Sequence, residues 1–248
     1  MIKIENTEVI GWEAAIRGMR NPMNSWEKSD SGWFSSEDDM GVDYVQYNSH
    51  SDPSELYFIG PNDKKLMMKL RNAGTDHRKF MRMITVYLDI TGPLYWWKEF
   101  DTYKVGTVAN SCSTMHKIAD KEFTLEDFSC EHLLGLMSKD DERTVPIIDV
   151  SPYYDKKIIY SPNGWLTGTI HLLNECRKWY LETNDKKYWW QMIQLLPSSY
   201  NQKRTVMLNY EVIANMYKSR KNHKLDEWVE LMTYFKENLP YSELFTGE

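Results

Sequence analysis

The sequence predicts an α/β fold with more helix than strand, on three observations. A stretch at Met83–Ile90 alternates strictly. Several capped segments in the C-terminal half carry apolar residues at helical spacing. The composition of the 248 residues, 42% hydrophobic and 27% charged, is that of a chain that packs a core. Lys3–Val9 reads as a first strand and Trp12–Met19 as a helix. From Asn24 to Pro53 the chain is rich in Ser, Asp, Asn and Gly and reads as a long loop insertion. Asn62 is placed to cap a helix running to about Ala73, with Gly74 as its stop. In the next strand Ile84, Val86, Leu88 and Ile90 form the apolar face, and Gly92-Pro93 ends it before a helix from Leu94 to Lys104. Thr-Leu-Glu-Asp at Thr124 has the form of a capping box, predicting a helix to about Met137. Asn163 and Asp185 head two further helices, to Glu182 and Leu196, and Pro197 stops the second. A short strand, Arg204–Leu208, leads into a helix from Asn209 to Arg220. The last helix, Leu225–Glu237, has Leu225, Trp228, Val229, Met232 and Phe235 on one stripe. Glu142–Pro162 is irregular, and no segment has the length or uniformity of a linker, so a single domain is expected.

The net charge of −6 argues against broad binding to a nucleic-acid backbone, so no extended nucleic acid is expected as a partner. No stretch approaches the ~18 apolar residues of a membrane span. Three cysteines without metal-ligand spacing, and no apolar leader, fit a reducing cytoplasm. No metal cluster, nucleophile triad or glycine-rich phosphate loop is present. The ten tryptophans and sixteen tyrosines suit either a core filled with wide rings or faces that stack on a base or a flavin.

Two blocks carry a resemblance. Residues 90–117, ITGPLYWWKEFDTYKVGTVANSCSTMHK, and residues 195–240, which open LLPSSYNQKRTVMLNYEVIANMYKSRK, resemble the two signature regions of the flavin-dependent thymidylate synthase family. Together they span about a third of the chain. The resemblance implies that family's fold, a mixed β-sheet packed with helices, in a homotetramer that binds FAD and dUMP. It implies that Arg220 grips and polarises the uracil ring, and that Ser113 donates a hydrogen bond to the substrate. It places Glu99 on the substrate side, where the family has the Gln of an Arg-Gln pair. Asn209 and Asn215 become flavin contacts, and Lys104 stands at the end of the family's Arg-His-Arg triplet, on the cofactor side. Asn209 and Arg220 are eleven residues apart, about three helical turns, and so share a face.

The chain also departs from the pattern. Thr102-Tyr103-Lys104 stands for Arg-His-Arg and Lys98-Glu99 for Arg-Gln. Ser111, Met115 and His116 replace Glu, Arg and Tyr, and Glu211 and Ile193 each replace an arginine. Met81 stands where an acidic residue is expected. Phosphates need cations or backbone N–H donors, and Met and Ile supply neither. Lys98, Lys104, Lys117, Arg78 and Arg82 are the cations left to compensate, unless they are solvated surface charges. Arg220 and Asn209 also have plain structural readings, as a helix C-terminal cation and an N-cap. Two functions therefore follow: an enzyme that modifies a pyrimidine nucleotide with flavin, or a protein that holds a nucleotide without flavin chemistry. A third, a framework for partner binding, needs no ligand.

Overall fold

The computed structural model describes residues 1–35, 44–45, 55–135, 148–149 and 159–247. Within these a four-stranded sheet has the order β1-β5-β9-β6, formed by β1 (Lys3–Ile10), β5 (Thr85–Pro93), β9 (Asn201–Asn209) and β6 (Val108–Ser111). Burial along β5 alternates up to Ile90, with Val86, Leu88 and Ile90 inside, as the period-2 pattern requires. Asp89 points from the opposite face, and its carboxylate accepts from Asn6 Nδ2 (3.0 Å) on β1 and Thr205 Oγ1 (2.6 Å) on β9. The α/β class with a mixed sheet packed by helices is thus the observed one.

Residue contacts group the chain into two compact units. The larger one comprises residues 2–90, 100–110 and 204–248. It contains most of the sheet with α1 (Trp12–Arg20), α2 (Pro61–Asn72), α7 (Tyr210–Arg220), α8 (Asp226–Asn238) and α9 (Glu243–Thr246). Many of its rings are core. Trp12 packs edge-on against Tyr210 at 5.3 Å, and Tyr210 packs edge-on against Phe245 at the same distance. The Tyr210 hydroxyl donates to Pro240 O, and its burial raises its pKa well above the ordinary tyrosine value. On α8 the buried face is Trp228, Leu231, Met232 and Phe235, so Leu231 replaces Val229 on the expected stripe. Gly11 stands before α1 at φ 94°, where a Cβ would lie 2.1 Å from Met83 O, so only glycine fits.

The segment expected to be a loop holds regular structure. Its described part contains one 3-10 turn, Trp26–Lys28, and the strands β2 (Gly32–Ser35) and β3 (Tyr44–Val45), which both pair antiparallel with β4 (Glu55–Phe58). Trp33 lies opposite Tyr57, edge to face at 5.1 Å, and such aromatic pairs stabilise a ladder that polar composition hides. The α2 cap also differs from expectation. Gly60 is the N-cap residue, and the Asp30 carboxylate accepts from the N–H groups of Asn62 (2.9 Å) and Asp63 (3.1 Å).

The smaller unit comprises Met1 and residues 91–99 and 111–203. Its described helices are most of α3 (Leu94–Phe100), then α4 (Thr114–Lys117), α5 (Pro162–Thr183) and α6 (Lys186–Leu195), with a two-stranded ladder of β7 (Ile148–Asp149) and β8 (Ile159–Tyr160). Phe123, Phe128, Leu166, Leu173 and Met192 are at its centre. Ser161, not Asn163, caps α5, its Oγ accepting from Gly164 N–H at 3.1 Å. Asp185 caps α6 as expected. The Thr124 capping box forms, yet it starts only a 3-10 turn, because Phe128 leaves in extended form to bridge Tyr200. The rest of that expected helix, 136–137, lies outside the described residues. β5 runs through Pro93, and α3 stops at Phe100 rather than Lys104.

Candidate functional site

The helix α7 carries three of the residues singled out in the sequence, Asn209 at its N-cap, Asn215 in its middle and Arg220 at its last position. It starts where it does because Asn209 leaves β9 with extended backbone and its Oδ1 accepts from Val212 N–H at 3.0 Å. The plain reading of Asn209 therefore holds for its oxygen. Its Nδ2 faces Gly106, which has φ 76° and where a Cβ would come within 2.8 Å of that nitrogen. Gly106→Ala meets both obstacles and is expected to lower unfolding free energy by more than about 1 kcal/mol in a denaturant titration.

Arg220 is more than a cation at a helix terminus. Its Nε–H donates to the Tyr103 hydroxyl at 2.9 Å, and its Nη1 lies 2.9 Å from His223 Nε2. The guanidinium carbon is 4.8 Å from the centre of the Trp228 ring and 5.6 Å from that of Tyr103. Trp228 is fully buried and is packed in turn by Phe100, nearly parallel at 6.1 Å, and by the edges of Tyr103 and His223. A guanidinium fixed by stacking and hydrogen bonds has few orientations left, which pre-organises it toward a planar or anionic acceptor. None of Tyr103, His223 and Trp228 is assigned to the site by the sequence reading, which has Tyr103 in the middle of the altered triplet and Trp228 on the apolar stripe of the last helix.

A second cluster lies along α7. The Glu211 and Arg78 side chains are only 8% and 17% exposed, and Arg78 Nε is 2.8 Å from Glu211 Oε2. The contact is an ion pair whose N–H direction misses the oxygen, so Coulomb attraction and not an aligned hydrogen bond holds it. Arg78 Nη2 also approaches Asn215 Oδ1 at 3.5 Å, at the limit of hydrogen bonding. Arg78 is therefore committed to Glu211 and is not one of the solvated surface cations. Glu211→Gln leaves that guanidinium without its counter-charge. It is expected to cost about 1–3 kcal/mol of stability, checked by thermal unfolding.

Of the remaining candidates, Lys104 is exposed in the larger unit. Ser113 and Glu99 belong to the smaller unit. Ser113 Oγ caps α4 by accepting from His116 N–H at 3.2 Å, and Glu99 is in the last turn of α3. Two departures from the family pattern have packing reasons. Met81 is fully buried in the larger unit, and Ile193 packs on the core of the smaller one. Among the described residues no group of His, Cys, Asp and Glu is placed to hold a metal, and no helix is long and apolar enough to cross a membrane.

No protein-family model matches the sequence, and no curated protein matches it. Solved structures do match in fold. Thymidylate Synthase X (ThyX) from Helicobacter pylori, crystallised with FAD and dUMP, has a TM-score of 0.60 at 15% identity, covering 100% of this chain and 98% of that one. The UMP/dUMP methylase PolB from Streptomyces cacaoi, bound with 5-Br dUMP, has a TM-score of 0.54 at 11% identity, covering 100% of this chain and 94% of that one. The likeness runs over the whole chain and shows that the fold is of this kind.

Proposed function

We propose that this protein binds a pyrimidine nucleoside monophosphate, with Arg220 as the group that grips the ring. The observation that carries this reading is the fixed guanidinium, held by Tyr103, Trp228 and His223 at the end of α7. Two fold neighbours support the ligand class, since one was crystallised with dUMP and the other with a brominated dUMP. A cation held at a heterocycle carbonyl stabilises negative charge on that oxygen, so the same contact that grips the ring also polarises it. Ser113 and Glu99 are assigned to the substrate side of the same reading. A thermal-shift panel of uridine, cytidine and purine monophosphates is the test. Stabilisation by dUMP or UMP beyond that by the purines agrees with the proposal, and no shift with any of them at millimolar concentration contradicts it.

The residues present fit FAD poorly. Of its expected contacts, Asn209 has spent its oxygen on the helix cap, and Asn215 stands beside the Arg78–Glu211 pair. A pyrophosphate there meets a cation already neutralised by a buried carboxylate, leaving exposed Lys104 as the remaining assigned cation. No step through a flavin is therefore derived, and nucleotide binding without flavin chemistry is the reading these contacts favour. Purified protein is expected to show no flavin absorption band and to gain none on dialysis against FAD. Retention of the band would restore the enzyme reading. Assembly into a homotetramer belongs to the same proposal and is checked by light scattering.

A further inference from the structure

The end of α1, the chain that follows it and the first turns of α2 border a cleft of about 620 Å³. One wall comes from residues 20–30, and the other from Asn62 and Leu66, one turn apart on α2. Two of the lining residues are polar and buried, Arg20 at 4% and Ser25 at 6% exposure. Their hydrogen bonds leave donors over. The guanidinium has five N–H groups, and its acceptors are Asp63 Oδ1, Ser25 O, Ser25 Oγ and Lys28 O, so one N–H is left. Ser25 Oγ takes a long bond from Arg20 Nη1 at 3.5 Å, and its own hydroxyl hydrogen has no acceptor among the described residues. Buried donors are costly to leave unmatched, so the floor of the cleft is built for an acceptor from outside.

The charges decide which acceptor. Two cations, Arg20 and Lys28, stand against three carboxylates, Glu27, Asp30 and Asp63, so the balance is one negative charge. That balance disfavours a phosphate or a carboxylate and leaves a neutral carbonyl. Met23, 54% exposed, and half-buried Leu66 supply apolar surface, and a thioether packs well on a flat ring. We infer that this cleft is a second binding site, for a small uncharged ring compound that carries an amide carbonyl. The carbonyl oxygen accepts from Ser25 Oγ–H and the remaining Arg20 N–H, and the ring lies between Met23 and Leu66. The volume is within the ~300–1,000 Å³ usual for small-molecule pockets. The site shares no residue with the Arg220 cluster, and it stands or falls separately from nucleotide binding.

Nicotinamide and benzamide are the probes. Nicotinate is the charged control, with the ring of nicotinamide and a carboxylate in place of its amide. Methyl NMR of protein labelled at methionine reads the site through Met23, whose signal is identified with Met23→Leu. The Met23 methyl is expected to move with at least one neutral probe at millimolar concentration and not with nicotinate. Ser25→Ala keeps the backbone carbonyl that Arg20 uses, and it is expected to weaken that binding about two- to tenfold. Glu27→Lys alters an exposed residue, so the fold is kept, and it turns the balance to one positive charge. Nicotinate is then expected to bind. No Met23 shift with either neutral probe, or wild-type protein that binds nicotinate as well as nicotinamide, overturns the proposal. So does unchanged affinity in a folded Ser25→Ala. If Ser25→Ala does not fold, Glu27→Lys decides, and continued exclusion of nicotinate counts as failure.

Discussion

Asp63→Ala is expected to lose about 3–5 kcal/mol of unfolding free energy, because it strands a buried guanidinium. The Asp63 side chain is 0% exposed and that of Arg20 is 5% exposed, and Arg20 Nε donates to Asp63 Oδ1 at 2.6 Å. The other carboxylate oxygen accepts from Ser29 Oγ and Ser31 Oγ, both at 2.7 Å, and from Asp30 N–H at 3.2 Å. Arg20 meanwhile donates to Ser25 O (3.1 Å) and Lys28 O (2.9 Å), so one pair fixes the chain between α1 and β2 to the start of α2. Removing the carboxylate leaves the cation with backbone carbonyls but no counter-charge, and leaves both serine hydroxyls to find new partners. Asp63→Asn keeps the shape and is expected to cost less.

The same pair sets an acid limb in the stability curve. Burial pushes the Asp63 pKa up, but the hydrogen bonds from Ser31, Ser29 and Arg20 and the charge of Arg20 outweigh it and hold the value below normal. A carboxyl whose folded pKa is depressed stabilises fully above its unfolded value, about 3.9, and that stability is lost as pH falls through the folded value. Denaturant titrations over that acid range are expected to show a decline that Asp63→Ala flattens. An unchanged acid limb in the variant contradicts the assignment.

Arg220→Ala is expected to weaken dUMP binding by tenfold to about a hundredfold, the cost of one lost charge-assisted hydrogen bond. Arg220→Lys is expected to do nearly as badly. An ammonium is a point charge, and it cannot stack on Trp228 while it donates along the fixed directions to Tyr103 and His223. Folding is expected to change by only about 1 kcal/mol, since the side chain is partly exposed and its contact with Trp228 is of cation–π size. Tyr103→Phe is the graded case. It keeps the ring but removes the acceptor for Nε–H, and it is expected to lower affinity less than Arg220→Ala. Calorimetric titration and denaturant unfolding on the same preparations separate the two effects.

The elements legible in the sequence are those whose signals are local. Asp185 and Asn209 cap the helices they precede, and the alternation at 84–90 gives the buried face of β5. Signals that act at a distance were not legible. Asp30 caps α2 from 32 residues away, and β2 hides in a polar stretch because its partner, β4, lies more than twenty residues on. The Thr124 box is a true local signal that tertiary structure overrules at Phe128. The site divides in the same way. Arg220 was visible from its block, whereas Tyr103 reaches it across 117 residues. Arg78, one of the candidate compensating cations, and Glu211, which replaces an arginine, form an ion pair with each other. A single sequence gives no sign of such pairing, which is why Arg78 stands among the cations left to compensate when the sequence is read alone.

The most direct test of Arg220 as the group that grips the ring is a crystal structure grown with dUMP. A ring or phosphate oxygen of the nucleotide is expected within hydrogen-bond distance of the Arg220 guanidinium, with the Tyr103 and Trp228 contacts kept. A nucleotide bound elsewhere, with the Arg220 cluster unchanged, would contradict it.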